Sequence, residues 1–238
     1  MKLDILAFGA HPDDVEMSCS GILLNFASRA KKTGVVDLTR GEMGTRGTQE
    51  TRKKESETAS EMLGLSVRHN LEFRDLFFED SNENITKIVE QIRRFKPDIV
   101  LANALEDRHP DHGKAAALVE KAFFCSGLKK YNSHWDGEEQ EIWRPKNLYH
   151  YIQDRDMEPD VIVDVNDHWE RRMASVAAYK SQFYDPKKQG DETYISSEKF
   201  WKFFEGRARS YGHRIGVEFG EGLIQKRKIG VSNLDDLV

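Results

Sequence analysis

Short apolar runs alternate with longer segments of helical periodicity over the first hundred residues of the chain. The runs predict β-strands, and apolar side chains at every third or fourth position predict helices between them. Strands that alternate with helices are typical of a parallel sheet covered by helices on both faces. The predicted strands are Leu3–Gly9, Val35–Thr39, Val67–Phe73 and Asp98–Ala102, and the predicted helices are Val15–Lys32, Glu50–Leu63, Asn84–Phe95 and His112–Phe124.

The pattern loosens in the second half of the chain, where a Trp- and charge-rich stretch, Asn132–Arg144, is interpreted as a surface loop. Glycines just after two helical patterns, Gly34 and Gly64, are interpreted as helix ends. Further strands are predicted at Asn147–Ile152 and Val161–Val165, and further helices at Trp169–Gln182 and Ser197–Tyr211. No repeat or linker marks a boundary, so we expect residues 1–238 to form one Rossmann-like α/β domain with a mostly parallel sheet.

Composition narrows the class of protein. The chain has 238 residues, of which 38% are hydrophobic, which suffices for one large core. Its net charge of -5 is spread among scattered bases and acids, which argues against a nucleic-acid partner. Cys19 and Cys125 form no Cys-x-x-Cys pair, and neither a signal peptide nor a long apolar span is recognisable. We therefore expect a cytoplasmic protein with no membrane partner.

Two acid-imidazole clusters follow predicted strands. His11-Pro12-Asp13-Asp14 follows the first strand, and His109-Pro110-Asp111-His112 follows the fourth. Ligand sites in open α/β sheets lie at the carboxyl ends of strands, where these clusters would meet. Two histidines and one carboxylate leave an open position on a catalytic zinc, and the set can be supplied by His11, Asp14 and His112.

Each of these residues has a plainer alternative when it is taken singly. Asp13 or Asp14 could cap the helix that follows, since carboxylates there accept bonds from free backbone amides. His112 could cap or line its helix, and His109 with Asp111 could form a surface pair. Their joint occurrence at two strand ends favours a functional site.

The motifs resemble the PIG-L-type family of zinc-dependent N-acetylglucosaminyl deacetylases, also called LmbE-like. The resemblance extends from residue 3 to about residue 221 and is closest to the branch that deacetylates N-acetylglucosaminyl malate in bacillithiol biosynthesis. Besides the two histidine motifs, it rests on the stretches Arg40–Thr48, Arg74-Asp75, Asp107-Arg108 and Glu205–Arg209.

The resemblance implies a role for each residue of the two clusters. Zn²⁺, or alternatively Fe²⁺, would be held by His11, Asp14 and His112. Asp13 would be the general base, and His109 as an imidazolium would stabilise the oxyanion or protonate the departing amine. Asp111 would accept the free ring N–H of a ligand histidine such as His11, or alternatively cap the helix beginning at His112.

Substrate contacts are implied at four further positions. By resemblance, Glu42 and Arg52 would contact sugar hydroxyls and the aglycone, and Asp75 suits sugar hydroxyls. Arg52 and Arg108 would anchor the malate carboxylates, although Arg52 could also be one of several solvated charges. Tyr194 is interpreted either as part of a loop over the site or as a packing residue. The glycines between residues 41 and 47 lack a phosphate-loop fingerprint.

The function that the resemblance implies is hydrolysis of the N-acetyl group of N-acetylglucosaminyl malate, with a small sugar conjugate as the only partner besides copies of the chain. Trimers or hexamers are the implied assembly. One alternative is a deacetylase for another N-acetylglucosamine derivative, such as a chitooligosaccharide or an amide-bearing thiol conjugate. The other is a non-catalytic protein of the same fold that binds sugar or metal.

Overall fold

The structure is a computed structural model that describes residues 1–185 and 191–237. Its main strands are β1 (Ile5–Gly9), β2 (Thr33–Thr39), β3 (Val67–Phe73), β4 (Ile99–Ala102), β7 (Asn147–Tyr151), β8 (Val161–Asp164) and β9 (Gly220–Ile224), and a small hairpin is formed by β5 (His134–Trp135) and β6 (Glu138–Glu139). Its helices are α1 (Asp14–Ser28), α2 (Gln49–Leu63), α3 (Asn82–Phe95), α4 (Pro110–Ser126), α5 (Trp169–Ala177) and α6 (Glu198–Arg214), with short 3₁₀ turns at Asn166–His168 and Leu234–Leu237.

One seven-stranded sheet runs through the domain in the order β3-β2-β1-β4-β7-β9-β8. The strands from β3 to β7 in this order pair in parallel, whereas β9 pairs antiparallel to both β7 and β8. The predicted Rossmann-like α/β fold with a mostly parallel sheet is therefore confirmed. The assignment of all of residues 1–238 to that domain stays a prediction.

The core lies on both faces of the sheet because successive strand side chains point in opposite directions. Leu6 and Phe8 of β1 pack into the layer that contains α3 and α4. Ile5 and Ala7 pack on the other face, against apolar residues of α1. Among the described residues, no helix is both long and apolar enough to span a membrane.

The end of α1 differs from the sequence prediction. The helix ends at Ser28 rather than Lys32, and Ala30 then turns with a φ of 57°. Gly34 does not end the helix but lies inside β2. A Cβ on Gly34 would stand 2.6 Å from Leu3 Cδ1 and 2.8 Å from a Val67 methyl, so close packing of neighbouring strands explains this glycine.

The helix predicted over Trp169–Gln182 is also shorter than expected, because α5 ends at Ala177. Beyond it, the Ser181 backbone N–H and hydroxyl donate to the two oxygens of the Glu55 carboxylate on α2, at 2.7 and 2.6 Å. These bonds draw the chain out of helical geometry and towards α2. The segment brings Gln182 to the edge of the sheet where β1 ends.

The hydrophobic pattern of the sequence did not predict the β5–β6 hairpin or the strand β9. The segment interpreted as a loop, Asn132–Arg144, carries the β5–β6 hairpin, whose turn residues Asp136 and Gly137 have φ values of 53° and 84°. The strand β9 was missed because two of its five residues are glycines and one is Glu221. Its insertion between β7 and β8 carries Glu221 into the interior, against α1.

Candidate metal and catalytic site

The two histidine clusters meet at one edge of the sheet. Because β1 and β4 are parallel neighbours, the loops that follow them lie side by side. A cavity of about 220 Å³ opens there. The predicted site residues that line it are His11, Asp13, Asp14, Arg52, Asp75, Arg108, His109 and His112.

His112 is held between two carboxylates. Its Nε2 lies 3.1 Å from Asp14 Oδ1, and its Nδ1 lies 2.5 Å from Asp107 Oδ2. Burial lowers the pKa of the imidazole, but the charge of Asp14 and the bond to Asp107 outweigh it and raise that pKa to about 9. Backbone amides of Asp154 and Arg155 donate to the other oxygen of Asp107, which fixes the carboxylate.

His11 is oriented by carboxylates near both of its ring nitrogens. Its Nδ1 lies 3.6 Å from Asp14 Oδ2, while its Nε2 lies 3.0 Å from Asp75 Oδ1 and 3.6 Å from Asp111 Oδ2. The remaining oxygen of Asp75 accepts from the Met43 backbone N–H at 2.9 Å. Asp75 is therefore engaged with His11, where sequence reasoning expected contact with sugar hydroxyls.

Asp111 also supports His11, but at the longer distance. Its Oδ2 accepts from the Leu76 backbone N–H at 2.8 Å, and its Oδ1 accepts from Lys114 Nζ at 3.1 Å. The residue that caps α4 is His109, so Asp111 does not serve as the N-cap considered from the sequence. Burial raises the pKa of Asp111, yet the bonds from His11 and Lys114 leave it far below its usual range.

The donor set fits a divalent cation. Asp14 faces both imidazoles, whose other nitrogens are held by carboxylates, and this arrangement directs His11 Nδ1 and His112 Nε2 towards Asp14. Among the described residues, the ligand atoms of two groups all lie within 4.8 Å of one another: His11 with His109 and His112, and His11 with Asp75 and Asp111. In the second group the backbone and Lys114 already occupy carboxylate oxygens, which indicates support of His11 rather than a separate metal site.

Two amide side chains that sequence reasoning missed position Asp14. Asn103 Nδ2 donates to Asp14 Oδ2 at 2.9 Å, and Gln153 Nε2 donates to Asp14 Oδ1 at 3.0 Å. The two amides also bond to each other at 3.0 Å. Asn103 directly follows β4, and Gln153 is the second residue after β7, so a polar residue near a strand end was the available signal.

Asp13 occupies a strained position at the start of α1. Its backbone φ of 126° lies in a region that residues other than glycine rarely adopt, and such strain is concentrated at functional sites. The carboxylate makes no capping bond to the described helix, which removes the simple N-cap interpretation. Burial raises the pKa of Asp13 to about 7, although the Arg52 guanidinium, whose Nη2 donates to Asp13 Oδ2 at 2.9 Å, opposes that rise.

His109 lies beside both ligand candidates, with ring centroids 4.6 Å from His11 and 5.1 Å from His112. Its Nδ1 accepts from the Asp111 backbone N–H, so in the neutral ring the proton is on Nε2. Burial and the two neighbouring imidazoles lower the pKa of His109 to about 4. The expected imidazolium is thus disfavoured, and a neutral Nε2–H is the donor that this ring offers.

Arg52 and Glu42 lie deeper than the sequence suggested. Arg52 is 7% exposed, and its Nη2 also donates to Gln182 Oε1 at 2.8 Å, so it is not a solvated surface charge. Glu42 Oε1 accepts from the Asp75 backbone N–H at 2.8 Å. Glu42 thereby steadies the carboxylate that holds His11, and Gln182, which the sequence did not single out, steadies Arg52.

The mouth of the cavity is formed partly by Arg108 and Tyr194. The guanidinium of Arg108 lies 4.6 Å from the centroid of the Tyr194 ring, and its Nε lies 3.4 Å from Asp154 Oδ2. Tyr194 donates its hydroxyl to Asp154 Oδ1 at 2.8 Å and is half exposed. Among the predicted carboxylate anchors, Arg108 is therefore the one that is exposed at the entrance.

A larger cavity of about 670 Å³ lies elsewhere, between α2 and β3. Two pairs of charged side chains that line it bind each other, Arg68 with Asp37 at 2.8 Å and Arg40 with Glu72. The concentration of imidazoles and carboxylates, rather than cavity size, therefore locates the functional site at the ends of β1 and β4.

Known proteins share this fold. The crystal structure of the conserved protein TT1542 from Thermus thermophilus has a TM-score of 0.85 and 33% identity, over 97% of this chain and 98% of that one. Diacetylchitobiose deacetylase of Thermococcus kodakarensis is 26% identical over 92% of this chain and 81% of its own length. 4-Oxalmesaconate hydratase of Pseudomonas putida is 21% identical over 91% of this chain and 73% of its own.

The family match covers the part of the chain that holds both histidine clusters. Residues 6–123 match the PIG-L family, described as GlcNAc-PI de-N-acetylase. The narrower resemblance, to the branch acting on N-acetylglucosaminyl malate, stays a prediction. At the family level the inference from the motifs is confirmed, and this chain belongs to the PIG-L family.

Proposed function

We propose that the chain is a metal-dependent N-deacetylase that hydrolyses the N-acetyl group of an N-acetylglucosamine conjugate, giving acetate and a free amine. The family match and the similarity to a diacetylchitobiose deacetylase support this reaction class. The observation that carries the proposal is the position of Asp13, a buried carboxyl in strained backbone geometry beside the side chains that would hold a metal. A binding site would not need a proton acceptor of this kind.

The metal would be held by His11, Asp14 and His112. Burial lowers the pKa of both imidazoles, but the carboxylates around them raise it by more, and the same negative charge would attract a cation, which replaces the ring protons when it binds. When bound, the ion supplies Lewis acidity, which lowers the pKa of water and polarises an amide carbonyl. Zn²⁺ is the proposed ion, and Fe²⁺ is the alternative for a site with two histidines and one carboxylate.

Asp13 would take a proton from the attacking water. A base works best when its pKa lies near the working pH, and burial brings Asp13 to that range. Arg52 donates to Oδ2 of this carboxylate and so restrains its orientation. The proton could then pass to the nitrogen of the departing amine, which balances the hydrolysis of one amide by one water.

His109 would stabilise the developing oxyanion through its Nε2–H. A neutral donor serves this purpose when it is fixed in place before the reaction, and the bond from the Asp111 backbone to Nδ1 provides that fixation. Because the pKa of His109 is near 4, Asp13 is better suited than His109 to return the proton to the amine.

The proposed substrate is N-acetylglucosaminyl malate. Arg108 at the cavity mouth supports it, because a guanidinium can bind a carboxylate with two parallel hydrogen bonds. Arg46 also lines the cavity and adds positive charge there. Arg52 is less suited to this task than the sequence suggested, since Asp13 and Gln182 already engage it.

Acetate release tests the proposal. The purified protein, loaded separately with Zn²⁺ and Fe²⁺, is given N-acetylglucosaminyl malate, N-acetylglucosamine and diacetylchitobiose at matched concentrations. We expect acetate from all three with the highest kcat/KM for the malate conjugate, and Arg108→Ala should raise KM for that conjugate alone. Equal kcat/KM values would contradict the malate assignment, and a preference for diacetylchitobiose would favour the chitooligosaccharide alternative.

The absence of acetate from every sugar would favour the non-catalytic alternative or another reaction class. The similarity to a hydratase suggests one other reaction to test, because adding water to a C=C bond also needs an activated water. Incubation with an unsaturated dicarboxylate should leave its absorbance unchanged if the chain is a deacetylase. Mass measurement in solution tests the proposed trimer or hexamer, and cell fractionation tests the proposed cytoplasmic location.

A further inference from the structure

Helix α1 is broken about one and a half turns after Asp13, the proposed base, and Asp14, a proposed metal ligand. Cys19 has φ and ψ values of -148° and 18°, which are not helical, so residues 14–18 form a separate short segment. In a regular helix the Gly21 N–H would donate to the Met17 carbonyl, four residues earlier. A break inside a buried helix leaves such groups in need of other partners.

A buried ion pair takes the place of the missing helical bond. Glu221 accepts from the Gly21 N–H at 3.0 Å and from the Ile22 N–H at 2.8 Å. Arg172 donates to the Met17 carbonyl at 2.7 Å and to Glu221 Oε1 at 2.9 Å. The path from Gly21 through both side chains to Met17 reconnects the two helical segments.

The charges suit the helix ends that they contact. The carboxylate of Glu221 lies at the N-terminus of the second segment, and the guanidinium of Arg172 lies at the C-terminus of the first, which is the favourable direction for both helix dipoles. Both side chains are almost fully buried, at 2% and 3% exposure. Neither charge is shielded by water, so each depends on the other and on the helix.

Gly21 shows that the contact is closely packed. A Cβ at this position would stand 2.7 Å from a Val165 methyl and 3.0 Å from the Glu221 carboxyl carbon. Only a glycine lets the carboxylate approach the backbone this closely. The position is therefore specified by its contacts with Val165 and Glu221 and not by helix propensity, for which alanine would be better.

We propose that Arg172 and Glu221 are positioning residues for the metal site, acting through the short first segment of α1. That segment begins with Asp14 and directly follows Asp13, and its far end is fixed by the bond from Arg172 to Met17. Without the pair, the segment can shift relative to His112, which lies on α4. The reaction that these residues support is the one assigned under the proposed function, on which this part of the inference rests.

Two substitutions test the pair. Glu221→Gln keeps the size of the side chain but removes the charge and places an NH₂ group against a backbone N–H. Arg172→Met removes both donors. We expect kcat for acetate release to fall about 10- to 100-fold in each, because small displacements of reacting groups have effects of this size. KM should change by less than about twofold, since the pair does not touch the substrate.

Zn²⁺ affinity of the metal-free protein, measured by competition with a chromophoric chelator, is the second measurement and needs no substrate. We expect it to fall about tenfold in both variants, as for other residues that orient ligands. Arg172→Lys, which keeps one donor and the charge, should restore part of kcat and of the affinity. If the proposed function is wrong and no acetate is released, this titration alone decides the inference.

Arg93→Met is the matched control. Arg93 is also 2% exposed, and it bonds to Ser126 and Leu128 carbonyls and to the Ser133 hydroxyl, in the α3 and α4 layer. It should lower the unfolding temperature as Arg172→Met does, with kcat and Zn²⁺ affinity unchanged. Folded Glu221→Gln with wild-type Zn²⁺ affinity would overturn the inference, and so would an equal loss of affinity in Arg93→Met.

Discussion

Helices α1 and α3 differ in how their first residues are capped and in how much of their surface is buried. Ser81 caps α3 by accepting from the Asn84 N–H at 3.2 Å, and the helix buries one apolar face that includes Ile85, Ile88 and Ile92. The cap position of α1 is Asp13, which makes no capping bond to the described helix, and residues 14–24 are buried on every side. Helix α3 has its own cap and buries a single apolar face, whereas α1 is held on all sides by side chains from distant parts of the chain.

The comparison shows what the start of a helix requires when its first residues belong to a functional site. A cap residue that bonds to its own helix has its carboxylate or hydroxyl occupied, as Ser81 has. Asp13 and Asp14 have theirs available for Arg52, for the two histidines and for a metal. Helix α1 is also broken at Cys19, and Glu221 and Arg172 supply partners for the backbone groups on either side of that break.

Metal removal should have the largest effect, and it should act on α1 and not on α3. Dialysis against a strong chelator should abolish acetate release, and added Zn²⁺ or Fe²⁺ should restore it, because the ligand residues alone cannot activate water sufficiently. Hydrogen exchange should increase for amides at the start of α1 and stay unchanged in α3. Full activity in protein shown to be free of metal would contradict metal dependence.

Asp107→Asn should have the next largest effect, through His112. The substitution leaves the ring nitrogen with a neutral partner in place of a carboxylate at 2.5 Å, and such changes weaken metal binding about 10- to 100-fold. Metal titration of the purified variant measures this. Asp98→Asn is the control at the other end of β4, where the carboxylate pairs with Lys2, and its metal affinity should equal that of the wild type.

Ile88→Ala should affect stability without affecting catalysis. Ile88 is fully buried in α3, and removing its side chain leaves a cavity that lowers the free energy of unfolding by about 2–5 kcal/mol. Urea unfolding measures the loss, and kcat at a temperature where the variant is folded should match the wild type. A large drop in kcat would show that the α3 layer and the site are coupled after all.

Ser81→Ala should give the smallest effect, a loss of about 1 kcal/mol in the free energy of unfolding, because one capping bond disappears. Metal affinity and kcat should both stay unchanged. Chemical denaturation measures the free energy of unfolding, and chelator competition on the same preparation measures metal affinity. A change in metal affinity would mean that α3 contributes to the site in a way that its contacts do not indicate.

The predictability of each region follows from the same difference. Apolar spacing located α3 to within two residues of its start, because its local sequence and its packing agree. The clusters at His11 and His109 were found because strand ends and residue types are visible in sequence. The interpretation of Gly34 as a helix end was wrong, because close packing between strands determines this residue.

The parts that sequence reasoning missed depend on contacts between distant segments. Asn103 and Gln153 support Asp14 from two different strand ends, and Glu221 reaches α1 from a strand near the C-terminus. No spacing rule links such positions. Asp75 was singled out for the substrate, but its closeness to His11 appears only when β3 and β1 are placed in one sheet.

Replacement of Asp13 by Asn is the most direct test of the central claim, that this strained carboxyl is the base of a metal-dependent deacetylase. Metal content and acetate release are measured on the same folded sample. We predict that the variant retains its metal while kcat falls about 10²- to 10⁴-fold, because proton transfer loses its acceptor. Loss of metal with activity falling in proportion would make Asp13 a structural residue and would contradict the account.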